Sequence, residues 1–123
     1  MARIDIDLST ATDPREPAPA GTYRMQVQEA EITESKAGNP MLVVASQIIG
    51  DDEAAGKWVR DYCVLSNNGG KFRARQYAEA AGADLTGLDT EDLVDMEFDA
   101  ELVIESDEEY GDQNRINRIL LDG

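Results

Sequence analysis

The chain has 123 residues, 26 acidic against 11 basic side chains, one cysteine and no histidine, for a formal net charge of −15. That length fits one domain. Cys63 has no partner for an internal disulfide, and without histidine neither the usual zinc spacings nor the Ser-His and Cys-His nucleophile pairs can be built. No apolar run approaches the roughly 18 to 20 residues of a membrane span. The opening Met1-Ala2-Arg3-Ile4-Asp5-Ile6-Asp7 alternates apolar with charged residues, unlike the apolar core of a signal peptide. The expectation is a cytoplasmic protein without membrane association.

In chain order, residues 8–20 carry three prolines and little that could be buried, which predicts an extended or flexible arm over residues 1–20 and a folded domain over 21–123. Tyr23, Met25 and Val27 alternate with polar residues as a half-buried strand does. The apolar parity then shifts to Ala30 and Ile32, which predicts a bulge or a strong bend. Turn chemistry at residues 35–40 leads into a second strand over 41–49, apolar on both faces. An acidic connection precedes a third strand over 57–65, with Val59, Cys63 and Leu65 on one face and Trp58, Arg60, Tyr62 and Val64 on the other.

Ser66-Asn67-Asn68-Gly69-Gly70 ends that strand and offers N-cap side chains to a helix from about Lys71 to Ala81, closed by Gly82. Its inner stripe is Ala74, Tyr77, Ala78 and Ala81. A short helical turn over 90–94 precedes a fourth strand, in which Met96, Phe98, Ala100, Leu102 and Ile104 alternate with mostly acidic residues. A loop over 106–111 leads to a fifth strand over 114–121. Five strands with a helix between the third and fourth predict an all-β protein, a five-stranded OB-fold barrel whose strands two and three and adjacent loops bind oligonucleotides or oligosaccharides.

The net charge opposes attraction to a polyanion, but the charge is unevenly placed. Residues 84–112 hold 13 acidic side chains and no basic one, whereas residues 56–76 hold Lys57, Arg60, Lys71, Arg73 and Arg75 against Asp61 alone. Within that basic stretch, Trp58, Arg60 and Tyr62 are spaced two apart on one strand face, which is the equipment of a stacking platform for bases. The alternative places Trp58 and Tyr62 in the barrel core, although Val59, Cys63 and Leu65 already supply an inner face. Arg115 and Arg118 on the last strand widen a positive strip only if that strand bulges, because their parity differs. Lys36, Lys71, Arg73 and Arg75 are candidate phosphate contacts at the groove's edges, with ordinary solvated surface charge as the competing reading.

Other motifs fall short of a site. Gly69-Gly70-Lys71-Phe72 lacks the first glycine and the final Ser/Thr of a phosphate loop, and residues 107–112 lack the frame of a calcium loop. Neither a cofactor, a metal nor a catalytic site is expected, and the protein reads as a binder rather than an enzyme.

Four stretches together resemble a phage-encoded family of single-stranded-DNA-binding proteins of OB-fold type: Pro19-Ala20-Gly21-Thr22-Tyr23, the Thr-x-x-Lys-x-Gly-Asn element from Thr33 to Asn39, Gly56-Lys57-Trp58-Val59-Arg60-Asp61, and the helix end Ala80-Ala81-Gly82. Asn114-Arg115-Ile116 matches the family's late Asn-Arg-Ile element, and the likeness runs from Pro19 to Leu121. The chain departs from it at Asp95, where such proteins often carry glycine before the fourth strand, and in its acidity. The resemblance implies sequence-independent binding of single-stranded DNA in phage replication or recombination, in the host cytoplasm. Lys36, Lys57, Trp58, Arg60, Tyr62, Lys71, Arg73, Arg75, Arg115 and Arg118 are then the candidate nucleic-acid contacts, and the acidic face is a candidate contact for replication or recombination proteins. The rival is an acidic protein-interaction module or DNA mimic that binds no nucleic acid. The oligomeric state is open, a dimer included.

Overall fold

A computed structural model describes residues 2–3, 17–50, 53–109 and 111–120. It contains β1 (Gly21–Glu34), β2 (Pro40–Ile48), β3 (Trp58–Val64), α1 (Asn68–Ala81), a 3-10 turn (Thr90–Asp92), β4 (Glu97–Asp107) and β5 (Gly111–Leu120). The five strands form one antiparallel sheet in the order β3-β2-β1-β4-β5. The mostly-β fold with one helix after the third strand is as expected. Closure is not: β3 and β5 are the two edges, with no ladder between them, so the sheet is not closed into a barrel.

The first strand is long enough to pair twice. Its first half, Gly21 to Gln26, pairs with β4, and Met25 to Glu34 pairs with β2. The register with β2 slips between Val27 and Glu29, the bulge that the parity shift at Ala30 and Ile32 predicts. An extra residue there bends the strand and lets one continuous element serve both halves of the sheet. A second bulge lies in β5, where Glu101 pairs with Arg118 but Leu102 pairs with Ile116, leaving Asn117 as the extra residue. Ile116 and Ile119, three positions apart, are consequently both buried.

The core gathers the inward residues of all five strands, among them Met25, Val27, Leu42, Val44, Val59, Cys63, Phe98, Leu102 and Ile116. The helix closes it from below, with Tyr77 and Ala78 buried and the Tyr77 ring edge-on to Phe98 at 5.5 Å between centroids and 83° between planes. Asn67 caps the helix by accepting from the Gly70 N–H at 2.7 Å, and Gly82 ends it in the left-handed conformation.

Packing begins before β1. Ala18 is fully buried, its N–H donating to Asn114 Oδ1 at 2.7 Å and its carbonyl accepting from Asn114 Nδ2 at 2.8 Å. The tail of the expected arm is thus tied to β5; residue 1 and residues 4–16 of that arm lie outside the described residues. Asp95, where the resembled proteins often have glycine, has φ 70°, and its N–H donates to the Val27 carbonyl at 2.8 Å. The left-handed turn is made by an aspartate, a residue type that tolerates this region better than most.

The helix crosses the end of β3 at Gly70, where an added Cβ would overlap the Val64 carbonyl, whereas at Gly69 the nearest atom is Asn67 Oδ1 at 3.5 Å. Gly70→Ala should therefore lose about 3 kcal/mol of stability by forcing the helix off the strand. Gly69→Ala should change it by less than about 1 kcal/mol, because only helix propensity is affected. Urea melts of the two variants check the contrast; equal effects would show that the helix can shift freely.

Candidate nucleic-acid interface

Alternation along β3 decides which side chains reach the surface. Val59 and Cys63 are buried, while Trp58 and Tyr62 are 49% and 58% exposed and Arg60 is exposed between them. Successive side chains of the three stand about 6.6 Å apart along the strand. The two aromatics therefore face outward and are not core residues. In register beside them on β2 are Gln47, Ala45 and Val43, of which Ala45 is buried and the other two are half-buried.

Asp61 lies on the inner face of the same strand and makes the key contact of the site. Its Oδ2 accepts from Arg73 Nη1 at 2.9 Å and from the Tyr77 hydroxyl at 2.8 Å. The same guanidinium donates to the carbonyls of Ile116 and Asn117 on β5, each at 3.2 Å. Arg73, rising from the helix, thus bridges the two sheet edges that have no ladder between them, at the point where the β5 bulge presents its carbonyls. Burial, reinforced by the Asp61 carboxylate, pushes the Tyr77 phenol well above its ordinary value. Burial also raises the Cys63 thiol from 9.0 to about 12, with the Asp61 charge adding to the effect and Arg73 opposing it.

Above this bridge runs a cleft of about 190 Å³ lined by Arg60, Asp61 and Tyr62 from β3 and Glu105, Gln113, Asn114 and Arg115 from β4 and β5. The β5 bulge resolves the parity conflict of its arginines: Arg115 and Arg118 are both exposed. Each is held by a glutamate of β4, Arg115 by Glu105 at 2.9 Å and Arg118 by Glu101 at 3.3 Å.

The expected contacts do not all come together. Trp58, Arg60, Tyr62 and Arg115 come together at the strip and its cleft. Lys71 and Arg75 do not join them, because they line a separate apolar groove with Ile32, Leu85 and Leu88, and Arg75 is paired with Glu79 at 2.7 Å. Arg73 is spent on the seam, a structural role rather than the edge position expected of it. Lys36 is exposed in the turn between β1 and β2, and Lys57 is half-buried just before β3. The cleft residues Glu105, Gln113 and Asn114 were not foreseen as lining residues. Asn114 stands in the Asn-Arg-Ile element, but its two hydrogen bonds reach 96 positions back to Ala18, which no local pattern signals.

The fold and this surface define a mostly-β, one-helix domain with an aromatic and basic strip on an edge strand. The chain belongs to DUF669, a family of proteins of unknown function, whose pattern matches residues 4–117. No curated protein matches the chain. No helix among the described residues is long and apolar enough to cross a membrane.

Two outcomes follow from the seam. Arg73→Ala should lower stability by roughly 2 to 3 kcal/mol, since it removes the cation paired with a partly buried carboxylate, leaving the Tyr77 hydroxyl as its donor, and frees two carbonyls. Arg75→Ala, which loses an exposed i,i+4 pair, should cost under about 0.5 kcal/mol; thermal melts of both variants decide. Cys63 should resist iodoacetamide in the folded protein at about pH 8 and react fully in denaturant. Because its folded value is raised, the stability it contributes is complete below 9.0 and is lost as pH climbs toward about 12. Ready alkylation of the native protein would contradict that burial.

Proposed function

We infer that the protein binds single-stranded DNA without sequence preference, by laying bases on Trp58 and Tyr62 while Arg60 meets the intervening phosphate, and that it acts by binding rather than catalysis. The observation that carries this reading is the outward exposure of two aromatics flanking an arginine on one strand. Trp and Tyr side chains side by side on one strand offer large apolar faces with polar tips, a combination suited to contact, and base stacking contributes roughly 1 to 3 kcal/mol per base. The strand order supports an OB-type reading of the fold. An OB barrel uses the outer region around strands two and three for its ligand, and here the two edges β3 and β5 are brought together by Arg73 instead of by a ladder. On this reading the fold is an OB barrel left open at that seam, with the cleft along it as the groove. The resemblance to phage single-stranded-DNA-binding proteins points to replication or recombination as the setting and to proteins of those processes as partners of the acidic faces.

Trp58 is the only tryptophan, so its emission reports on the site directly. Oligo-dT at low salt should quench it saturably, and added salt should reverse the quench. Tyr62→Ala should weaken binding by about 1 to 3 kcal/mol at unchanged melting temperature. Arg60→Ala should reduce the salt dependence by about one phosphate contact. An emission that oligonucleotide leaves unchanged, with no mobility shift at any salt, would replace this reading with the acidic protein-interaction module.

A further inference from the structure

If the outer face of β3 binds a strand, the carboxylates around it decide which strands it accepts. The inference rests on that reading of the face. Across β2 from the aromatic strip, β1 carries a column of acids: Glu29 lies in register with Ala45 and through it with Arg60, and Glu31 with Val43 and through it with Tyr62. Both glutamates are exposed. Two strand spacings set their backbone about 10 Å from that of Arg60 and Tyr62, about one Debye length at 0.1 M salt, so that their charge is only partly screened there. On the other flank Glu105 sits in the cleft against Arg115, and Glu101 against Arg118. Of the cations on β3 and β5, Arg60 is the one without an ion pair among the described residues.

We propose that Glu29, Glu31 and Glu105 make this face selective for single-stranded over duplex DNA. The strip offers two π-faces and one uncommitted cation between acidic borders. A single strand can meet it with unstacked bases on Trp58 and Tyr62 and one phosphate on Arg60, its remaining charge directed outward. A duplex keeps its bases stacked on each other and carries one charge per about 1.7 Å of axis, twice the density of either strand alone. Laid on the same face, it gains no stacking and brings its second backbone over Glu29 and Glu31. Rejection of the wrong ligand by placed like charge is a recognised source of specificity. Because the β5 arginines are already held by glutamates, the bound single strand releases few counterions, and its affinity depends weakly on salt.

The test compares the full chain with the Glu29→Gln/Glu31→Gln double variant and with Glu105→Gln, using fluorescence anisotropy of labelled oligo-dT and of a duplex of equal length. Circular dichroism melts confirm that the surface substitutions leave folding unchanged. The unsubstituted chain should bind oligo-dT with a log-log salt slope near −0.7, the value for about one phosphate contact on a single strand, and should bind duplex at least about 100-fold more weakly. The double variant should raise duplex affinity about tenfold while changing oligo-dT affinity by less than about threefold. Glu105→Gln should release Arg115 and steepen the oligo-dT slope by about 0.7. Oligo-dT binding with an unchanged preference in both variants would overturn the inference while leaving the reading of the face intact. Absence of oligo-dT binding by all three proteins would overturn the reading itself.

Discussion

The guanidinium of Arg73 joins parts of the molecule that nothing else in the described structure joins so directly. It enters from the helix, meets Asp61 on one edge strand, and donates to two carbonyls of the other edge strand. Without a ladder between β3 and β5, their relative position depends on this bridge and on the side chains packed beneath it. An arginine suits the task because its planar fork can donate in several directions at once, which a lysine ammonium cannot do with fixed geometry. The carboxylate is partly buried and is satisfied by two donors, Arg73 and the Tyr77 hydroxyl, so removing either leaves an expensive group behind. The distance between the aromatic strip on β3 and Arg115 on β5, and hence the width of the cleft, is inherited from this contact.

The bulge in β5 belongs to the same arrangement. By inserting Asn117 it turns two carbonyls toward Arg73 and restores the inward phase for Ile119, while keeping Arg115 and Arg118 on the outer surface. One extra residue thus serves the core, the bridge and the exposed face together, and a strand of strict alternation could serve only two of the three. The bulge in β1 does comparable work in the central strand of the sheet, where a single bent strand takes β4 on one half and β2 on the other.

Acidity and the proposed ligand are compatible once charges are placed individually. Arg24, Arg73, Arg75, Arg115 and Arg118 are each engaged by carboxylates of the same chain. The net charge therefore repels polyanions at long range, while the proposed short-range contact on β3 rests on apolar stacking. Such a surface favours contact with bases over contact with phosphates, which is a different balance from that of a basic single-strand binder.

Local chemistry made much of this legible from sequence. Period-2 alternation assigned the strands and the inner face of β3, the parity break announced the β1 bulge, and Gly82 marked the end of the helix, because each of these depends on residues within a few positions of one another; the helix start, expected near Lys71, lies at Asn68 because Asn67 takes the cap. The outward placement of Trp58, Arg60 and Tyr62 followed from the same alternation once Val59 and Cys63 were assigned inward. What the chain could not reveal locally are contacts between distant segments. Arg73 reads as one more surface charge beside Lys71 and Arg75, and only the packing of the helix beneath the seam turns it inward to Asp61 and β5. Asn114 reads as a strand residue, yet it clamps Ala18. The absence of a β3–β5 ladder, the pairing of Arg115 with Glu105 and the alignment of Glu29 and Glu31 with the aromatic strip are matters of strand order and register. Those are set by the global balance of burial and hydrogen bonding across the sheet, so the tertiary structure alone decided them.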